Sequence, residues 1–224
     1  MPVNLSRAQL LNFIQCPRRF WLEQYHPELE GDVSAMDASL DAEEAADAAA
    51  RRSFREIGVE QINGSLGLRK AIEQTAATLR EGVIVLDATF EFEGISVQVD
   101  VLDWSAPPYR AISVTASSAA QDRHIDDCAL QAWAMRGLEL PEHRFVLALA
   151  VADTSTDEAA MAGDFETRFS TIDVSDRVAA KIDELDDVVA AARAQHASLN
   201  EPPAQTGPHC TTGYACPFLD YCEQ

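Results

Sequence analysis

Residues 83–104 read VIVLDATFEF, then EG, then ISVQVDVLDW. Two stretches rich in Val, Ile and Phe flank Glu93-Gly94, which is the pattern of a β-hairpin. The rest of the chain arranges itself around this hairpin. Upstream, Ser6-Arg7-Ala8-Gln9 forms a capping-box pattern, and Leu10, Leu11, Phe13 and Ile14 follow at helical spacing. Pro17 follows Cys16 directly and breaks that helix, so a second short helix runs from Arg18 to Tyr25. Glu28 to Ser34 reads as a surface loop. Residues 38–57, rich in Ala, Glu and Arg, predict a long helix stopped by Gly58, and Leu68 to Glu81 a further helix stopped by Gly82.

Downstream, Tyr109 to Ala116 reads as a third strand and Asp122 to Leu138 as a helix. The apolar run Phe145 to Val151 suits a buried central strand. Phe165 to Val174 reads as another strand, Asp176 to Leu199 as one long amphipathic helix, and the tail from Asn200 as mostly irregular. This order predicts an α/β (α+β) architecture, a mixed central sheet flanked by helices, in a single domain over residues 1–224.

The 224 residues, 47% of them apolar, suffice for a sizeable core. No apolar run approaches the roughly 20 residues of a membrane helix. Met1 to Arg7 lacks the charged-then-apolar pattern of a signal peptide. The expectation is a cytoplasmic protein without a membrane partner. The formal net charge is −20, from 37 acidic and 17 basic residues. A field of that sign repels phosphates, which disfavours nucleic acid and points to a protein partner, although Arg18-Arg19 and Arg51-Arg52 leave local basic patches. The acidity also serves solubility.

Five cysteines occur. An odd count in a cytoplasmic chain argues against a disulfide framework. Cys210, Cys216 and Cys222 are regularly spaced in a tail containing Pro and Gly, with five residues between each pair. Zinc sites usually show ligand pairs two to four residues apart, and this spacing has none. An iron–sulfur cluster is larger and suits wider loops. Cys16, beside a proline at a helix break, is the candidate fourth ligand. Cys128, inside a predicted helix, reads as a core thiol. A 4Fe-4S cluster, a zinc ion and unligated thiols remain open on spacing alone. His209 reads as a loop histidine rather than a replacement ligand.

Leu5-Ser6-Arg7 through Cys16-Pro17-Arg18-Arg19-Phe20-Trp21-Leu22 resembles the start of RecB-like nuclease domains of the PD-(D/E)xK superfamily, in the subgroup that carries a 4Fe-4S cluster. Gly207-Pro208-His209-Cys210 through Cys216-Pro217-Phe218-Leu219-Asp220-Tyr221-Cys222 resembles its end. Phe92-Glu93-Gly94 through Asp100-Val101-Leu102 is similar to its metal-binding hairpin, and His124-Ile125-Asp126-Asp127 through Gln131 to the helix after its active-site strand. The resemblance implies a restriction-endonuclease-like core whose N- and C-terminal cysteine elements, residues 1–30 and 200–224, are joined by the cluster. It implies nucleic-acid cleavage with Mg²⁺ or Mn²⁺. An Asp on one strand and a Glu on the next hold that metal, and a Lys two residues after the Glu orients or activates water, since residues i and i+2 share a strand face.

The chain departs from that pattern. Asp100 occupies the family's Asp position, but Ser113 stands where the Glu belongs and Thr115 where the Lys belongs. Gln131, a substrate-side position, is retained. The early-helix acid aligns with Ala48, with Asp47 and Glu44 close by. Asp100 alone would bind Mg²⁺ or Mn²⁺ weakly. The expectation is a domain that has lost catalysis and acts as a binding or scaffold module. Two rivals stand beside it: an active nuclease using displaced groups such as Asp87, Glu91, Asp103 or Asp122, and a redox-sensing cluster protein. Trp21, Trp104 and Trp133 read as core or interface aromatics, His124 as a helix-start residue, and Asp183 to Asp187 as a solvated acidic face.

Overall fold

The structure is a computed structural model that describes residues 4–31, 34–55, 59–150, 165–212 and 215–224, with the backbone alone at 34–39, 55, 166 and 167. In chain order the elements are β1 (Leu5–Ser6), α1 (Arg7–Gln15), α2 (Pro17–Tyr25), α3 (Ser34–Arg55), β2 (Glu60–Gln61), α4 (Leu68–Thr78), β3 (Val83–Phe92) and β4 (Ile95–Trp104). There follow β5 (Tyr109–Thr115), α5 (Asp122–Gly137), β6 (His143–Ala150), α6 (Phe165–Arg168), β7 (Phe169–Asp173), α7 (Ser175–Ile182), α8 (Leu185–His196) and α9 (Leu219–Cys222).

The strands form one mixed seven-stranded sheet in the order β2-β3-β4-β5-β6-β7, with β1 pairing on β4. β3, β4 and β5 run as an antiparallel meander; α5 then crosses over so that β6 lies parallel to β5. The hairpin turn is the predicted Glu93-Gly94. Both residues have positive φ, 49° and 75°, as a tight turn matched to the strand twist requires.

Helices cover both faces. On one, α1, α4, α5, α7 and α8 bury the larger core, with Leu10, Val99, Leu130 and Trp133 at its centre. On the other, Ala46, Ala49, Ala50 and Phe54 of α3 meet Leu86, Ile112 and Val146. Among the described residues no helix is long and apolar enough to cross a membrane.

The hairpin is not uniformly alternating. Val83 and Val85 face the larger core, Leu86 faces α3, and Ala88 and Phe90 face the larger core again. β4 mirrors this: Trp104 and Leu102 face the larger core, Val101 faces α3, and Val99 and Val97 return. The register pairs Leu86 with Val101 and Ala88 with Val99, so both strands change phase at Asp87 and Asp100, which stand opposite one another. Asp87 takes φ 59°, the left-handed conformation that such a change needs.

Several elements depart from expectation. Phe165–Arg168 forms a helical turn rather than the start of a strand, because that turn stacks Phe165 on Phe169 (ring centroids 4.8 Å) and sets it against Phe54 (4.8 Å). The single helix expected from Asp176 to Leu199 is two, broken between Ile182 and Leu185. Restarting there puts Asp186 and Asp187 in the first turn of α8, where a helix favours negative charge. It also lets Asp186 accept the Trp133 indole N–H at 2.7 Å, so the acidic run is only partly a solvated face. The first long helix begins at Ser34, and α4 ends at Thr78. The Gly58 stop and the strand end at Val151 lie outside the described residues.

Candidate functional site

The Asp100 region is built where the sheet divides. β5 pairs with β4 from Val101 to Asp103, while β1 pairs with β4 at Ile95 and Ser96. Between these two pairings side chains take over from the backbone. Asp100 Oδ2 accepts the Val114 N–H at 2.8 Å, and Arg7 Nη1 donates to the Gln98 carbonyl at 2.7 Å. Arg7 stands here because Ser6 caps α1: its hydroxyl accepts from Gln9 N–H and its own N–H donates to the Gln9 side chain, the predicted capping box. Arg7 also pairs with Asp127 of α5 at 3.1 Å.

Carboxylates crowd this gap. Burial, then the charge of Asp47, pushes the Asp100 carboxyl up to about 7, against the pull of Arg7 and the Val114 N–H. Burial also lifts Asp47 to about 6, opposed by Arg51 and reinforced by Glu43 and Asp87. Asp127 is raised by burial, with Arg7 the main opposing charge. Asp87 is saturated by Arg51 Nε and Nη2 at 3.1 and 2.9 Å, Gln61 Nε2 at 3.0 Å and Gln98 Nε2 at 3.0 Å.

The strand β5 alternates as expected. Ile112 and Val114 face α3, and Ser113 and Thr115 face α5. Ser113 is buried, accepting from Gln131 Nε2 at 3.0 Å and from the Cys128 thiol at 3.6 Å. Thr115, also buried, donates to Glu43 Oε1 at 2.9 Å and lies 3.3 Å from His124 Nε2. The other Glu43 oxygen accepts the Ala116 N–H at 2.8 Å. His124 Nδ1 accepts the Gln121 N–H, which fixes the neutral ring with its proton on Nε2, and burial followed by Arg123 pushes its pKa down to about 4. Cys128, with its pKa pushed up to about 12 by burial, is an inert core thiol.

The structure therefore brings Asp100, Ser113, Thr115 and Gln131 to adjoining positions on β4, β5 and α5. From α3, Glu43 and Asp47 approach the same region, while Glu44 is exposed. Of the displaced candidates, Asp87 adjoins the gap. Glu91 is exposed, Asp103 is bound by Arg110 at 2.6 Å toward the far end of the strand, and exposed Asp122 pairs with Arg177. Arg7 and Glu43 escaped the sequence reading, since nothing in their local sequence marks a long-range role.

The cysteine end is a second assembly. Cys16 ends α1 and begins α2, with Pro17 as the first residue of α2. Cys210 closes a short 3₁₀ turn, Cys216 N–H donates to the Cys210 carbonyl at 2.8 Å, and Cys222 ends α9. Both terminal regions meet directly: Gln15 Nε2 donates to the His209 carbonyl at 2.7 Å, Arg18 Nε to Glu201 at 2.8 Å, and Gly31 N–H to the Pro217 carbonyl at 2.7 Å. Trp21, Leu22 and Phe218 form a small apolar cluster of their own beneath Cys216. Trp21 donates to the Ser198 carbonyl at 3.0 Å, so it serves as a packing and tethering residue.

All five cysteines are free thiols. Cys216 and Cys222 each feel the charges of Cys16 and Cys210, so the four lie in one electrostatic neighbourhood. Burial raises both thiols; the Phe218 N–H and Arg19 oppose it at Cys216, and Arg18 opposes it at Cys222. Thiolate sulfur is the donor type that an iron–sulfur cluster takes. Among the described residues, no group of three or more His, Cys, Asp or Glu side chains is arranged around a single ion. Compared with known protein families and with curated proteins, the chain matches none.

Proposed function

We propose that this chain is a RecB-like, PD-(D/E)xK-type domain that has lost cleavage and serves as a binding or scaffold module for a protein partner. In this reading Cys16, Cys210, Cys216 and Cys222 hold a 4Fe-4S cluster that ties the tail to α1 and α2. The cluster supplies a covalent cross-link between sequence-distant segments, which closes a long loop and lowers the entropy of the unfolded chain. The reading is supported by the order of elements, with Asp100 on one strand, Ser113 and Thr115 on the next, and Gln131 on the helix that follows.

The observation that carries the loss of cleavage is that the groups at the family's metal and water positions are already engaged by protein. Ser113 is closed by Gln131 and Cys128, Thr115 by Glu43 and His124, and Asp100 by the Val114 N–H. A metal would have to break these bonds and deprotonate a carboxyl held near neutrality. The charges agree. Ion pairs hold most of the basic side chains, and among the described ones Arg52 and Lys70 stand outside any such pair. Few cations are left to neutralise phosphates.

The test is incubation of the anaerobically purified chain with single- and double-stranded DNA and RNA, with Mg²⁺ or Mn²⁺. No cleavage is expected. Cleavage that vanishes in Asp100→Ala would end the proposal. It would favour the second reading, an active nuclease with relocated ligands, to which the crowding of Asp47, Asp100 and Asp127 lends a specific basis.

A further inference from the structure

We infer that the cavity at the start of β5, β6 and α7 is a binding site for a small aliphatic diamine. His143 Nε2 is its buried hydrogen-bond acceptor, and Glu142 and Asp176 are its outer carboxylates. The site shares no residue with the Asp100 region or the cysteine end, so it stands apart from the function proposed above.

Tyr109 and His143, the first residues of β5 and β6, are register partners in the parallel pair. β7, paired to β6, ends at Asp173, and α7 begins at Ser175. These ends enclose a cavity of about 720 Å³, a size that suits a small molecule. Pro108 and Val174 give it apolar wall, and His143 forms another part of the lining.

His143 is buried, and its ring is set edge-on to Trp104 (ring centroids 5.5 Å) and against Tyr109 (5.7 Å). Its Nδ1 meets the Pro141 carbonyl, which can only accept, so Nδ1 carries the proton and Nε2 is a bare acceptor. Burial pushes the His143 pKa down, against the pull of that carbonyl, which favours the neutral ring. Nε2 is buried and has no hydrogen-bond partner among the described residues. A buried acceptor left unpaired carries a desolvation penalty, which a ligand N–H removes.

The surrounding charges select the sign of the ligand. Both guanidinium groups of the lining are engaged, Arg144 with Asp173 at 3.6 Å and Arg177 with Asp122 at 3.0 Å. Asp173 also accepts the Ser175 N–H at 2.9 Å. Glu142 and Asp176 are exposed and join no ion pair or side-chain hydrogen bond among the described residues. Asp176 itself supplies negative charge to the first turn of α7, so that helix end does not call for an anion. The uncommitted side chains are therefore all acceptors, in a chain whose net charge of −20 draws cations toward it. Among the described residues no three His, Cys, Asp or Glu side chains are arranged around a single ion, so a bare metal ion would leave these acceptors unjoined. A longer cation joins them. One ammonium donates to His143 Nε2, the second meets Glu142 and Asp176, and the methylene stem lies along Pro108 and Val174.

The test is calorimetric titration of the full-length protein with putrescine, beside putrescine fully methylated at both nitrogens, which keeps both charges and has no N–H. The chemical shift of His143 Nε2 is followed by nitrogen NMR. Saturable one-to-one binding of putrescine is expected, with a shift at Nε2. The methylated probe should bind about tenfold more weakly, as the loss of one charged hydrogen bond requires. Glu142→Gln and Asp176→Asn, both exposed substitutions, should each weaken putrescine binding about two- to fivefold. Glu91→Gln, which removes an exposed acid outside the cavity, should leave it unchanged. His143→Phe keeps an aromatic ring in place and should abolish the preference for putrescine over the methylated probe. If that variant folds poorly, the two probes on the wild type still decide the matter. Absence of saturable binding, or equal affinity for the two probes, would overturn the inference. Equal effects of Glu142→Gln, Asp176→Asn and Glu91→Gln would also overturn it, because the overall field would then account for the binding.

Discussion

Asp87 stands opposite Asp100 in the β3–β4 hairpin, and at this pair both strands shift their alternation by one residue, so that apolar side chains on either side of it face the larger core. The two acids solve the change of phase differently. Asp87 takes the left-handed backbone and gathers Arg51, Gln61 and Gln98, whereas Asp100 reaches sideways to the Val114 N–H. Asp87→Ala removes four hydrogen bonds, from Arg51 Nε and Nη2, Gln61 Nε2 and Gln98 Nε2, and puts a side chain without local hydrogen bonds at φ 59°. A loss of about 2–4 kcal/mol in urea unfolding is expected. Asp87→Asn, which tolerates that backbone and keeps part of the network, should lose clearly less. Equal losses in the two variants would show that the hydrogen bonds at Asp87 carry no stability.

Asp100 links the site to pH. Its carboxyl moves from an ordinary 3.8 in the unfolded chain to about 7 in the folded protein, with Asp47, Asp127 and Arg7 around it. Between these values the folded state binds more protons, so this group's contribution to stability is intact at low pH and is lost as pH rises through the window. His124 acts the other way: with its pKa moved from 6.5 down to about 4, it costs stability as pH falls through that range. Asp100→Asn removes only the first effect. Its stability relative to wild type should improve by on the order of 1 kcal/mol or more from pH 5 to pH 8. An offset that is the same at both pH values would contradict the raised carboxyl.

Introducing the residues of the PD-(D/E)xK pattern at these two positions should fail asymmetrically. Ser113→Glu places a carboxylate in a buried slot already closed by Gln131 and Cys128, near the carboxyls of Asp100 and Asp127. A cost of about 3 kcal/mol or more is expected in denaturant titration. Thr115→Lys instead meets Glu43, whose oxygens already point at this position, and should cost much less. A well-folded Ser113→Glu protein that also gained Mg²⁺-dependent cleavage would show the site to be dormant and not closed.

The cysteine end has its own small core. Phe218 is fully buried against Trp21 and Leu22, apart from the main clusters. Phe218→Ala should therefore loosen the tail and α2 locally, as faster amide exchange over residues 200–224 with little change in the sheet strands. A uniform rise in exchange throughout the sheet would show that the tail and the main core unfold as one unit.

Much of this protein was written locally. The capping box at Ser6, the break at Cys16-Pro17, the turn at Glu93-Gly94 and the alternation of Ser113 and Thr115 each depend on neighbours a few residues away, and each stands as read. The change of phase was faintly visible too, in the apolar doublets Val85-Leu86 and Val101-Leu102 beside a lone acid, but a regular strand pattern concealed it. Where long-range packing decides, the local pattern misled. Phe165 coils back because Phe54, far away in the chain, receives it, and the last long helix breaks where Trp133 claims Asp186.

The sequence by itself determined the kinds and order of most elements, and which side chains of β5 share a face, because periodicity and turn chemistry are short-range physics. The tertiary structure added Glu43 to the Asp100 region and Arg7 to the gap between β1 and β5, and it gave contacts to two approaches already expected, Asp47 toward Asp100 and the tail toward α2. Those pairings join residues tens to nearly two hundred positions apart. Burial and charge select such partners after the chain has folded, and no local pattern carries that information.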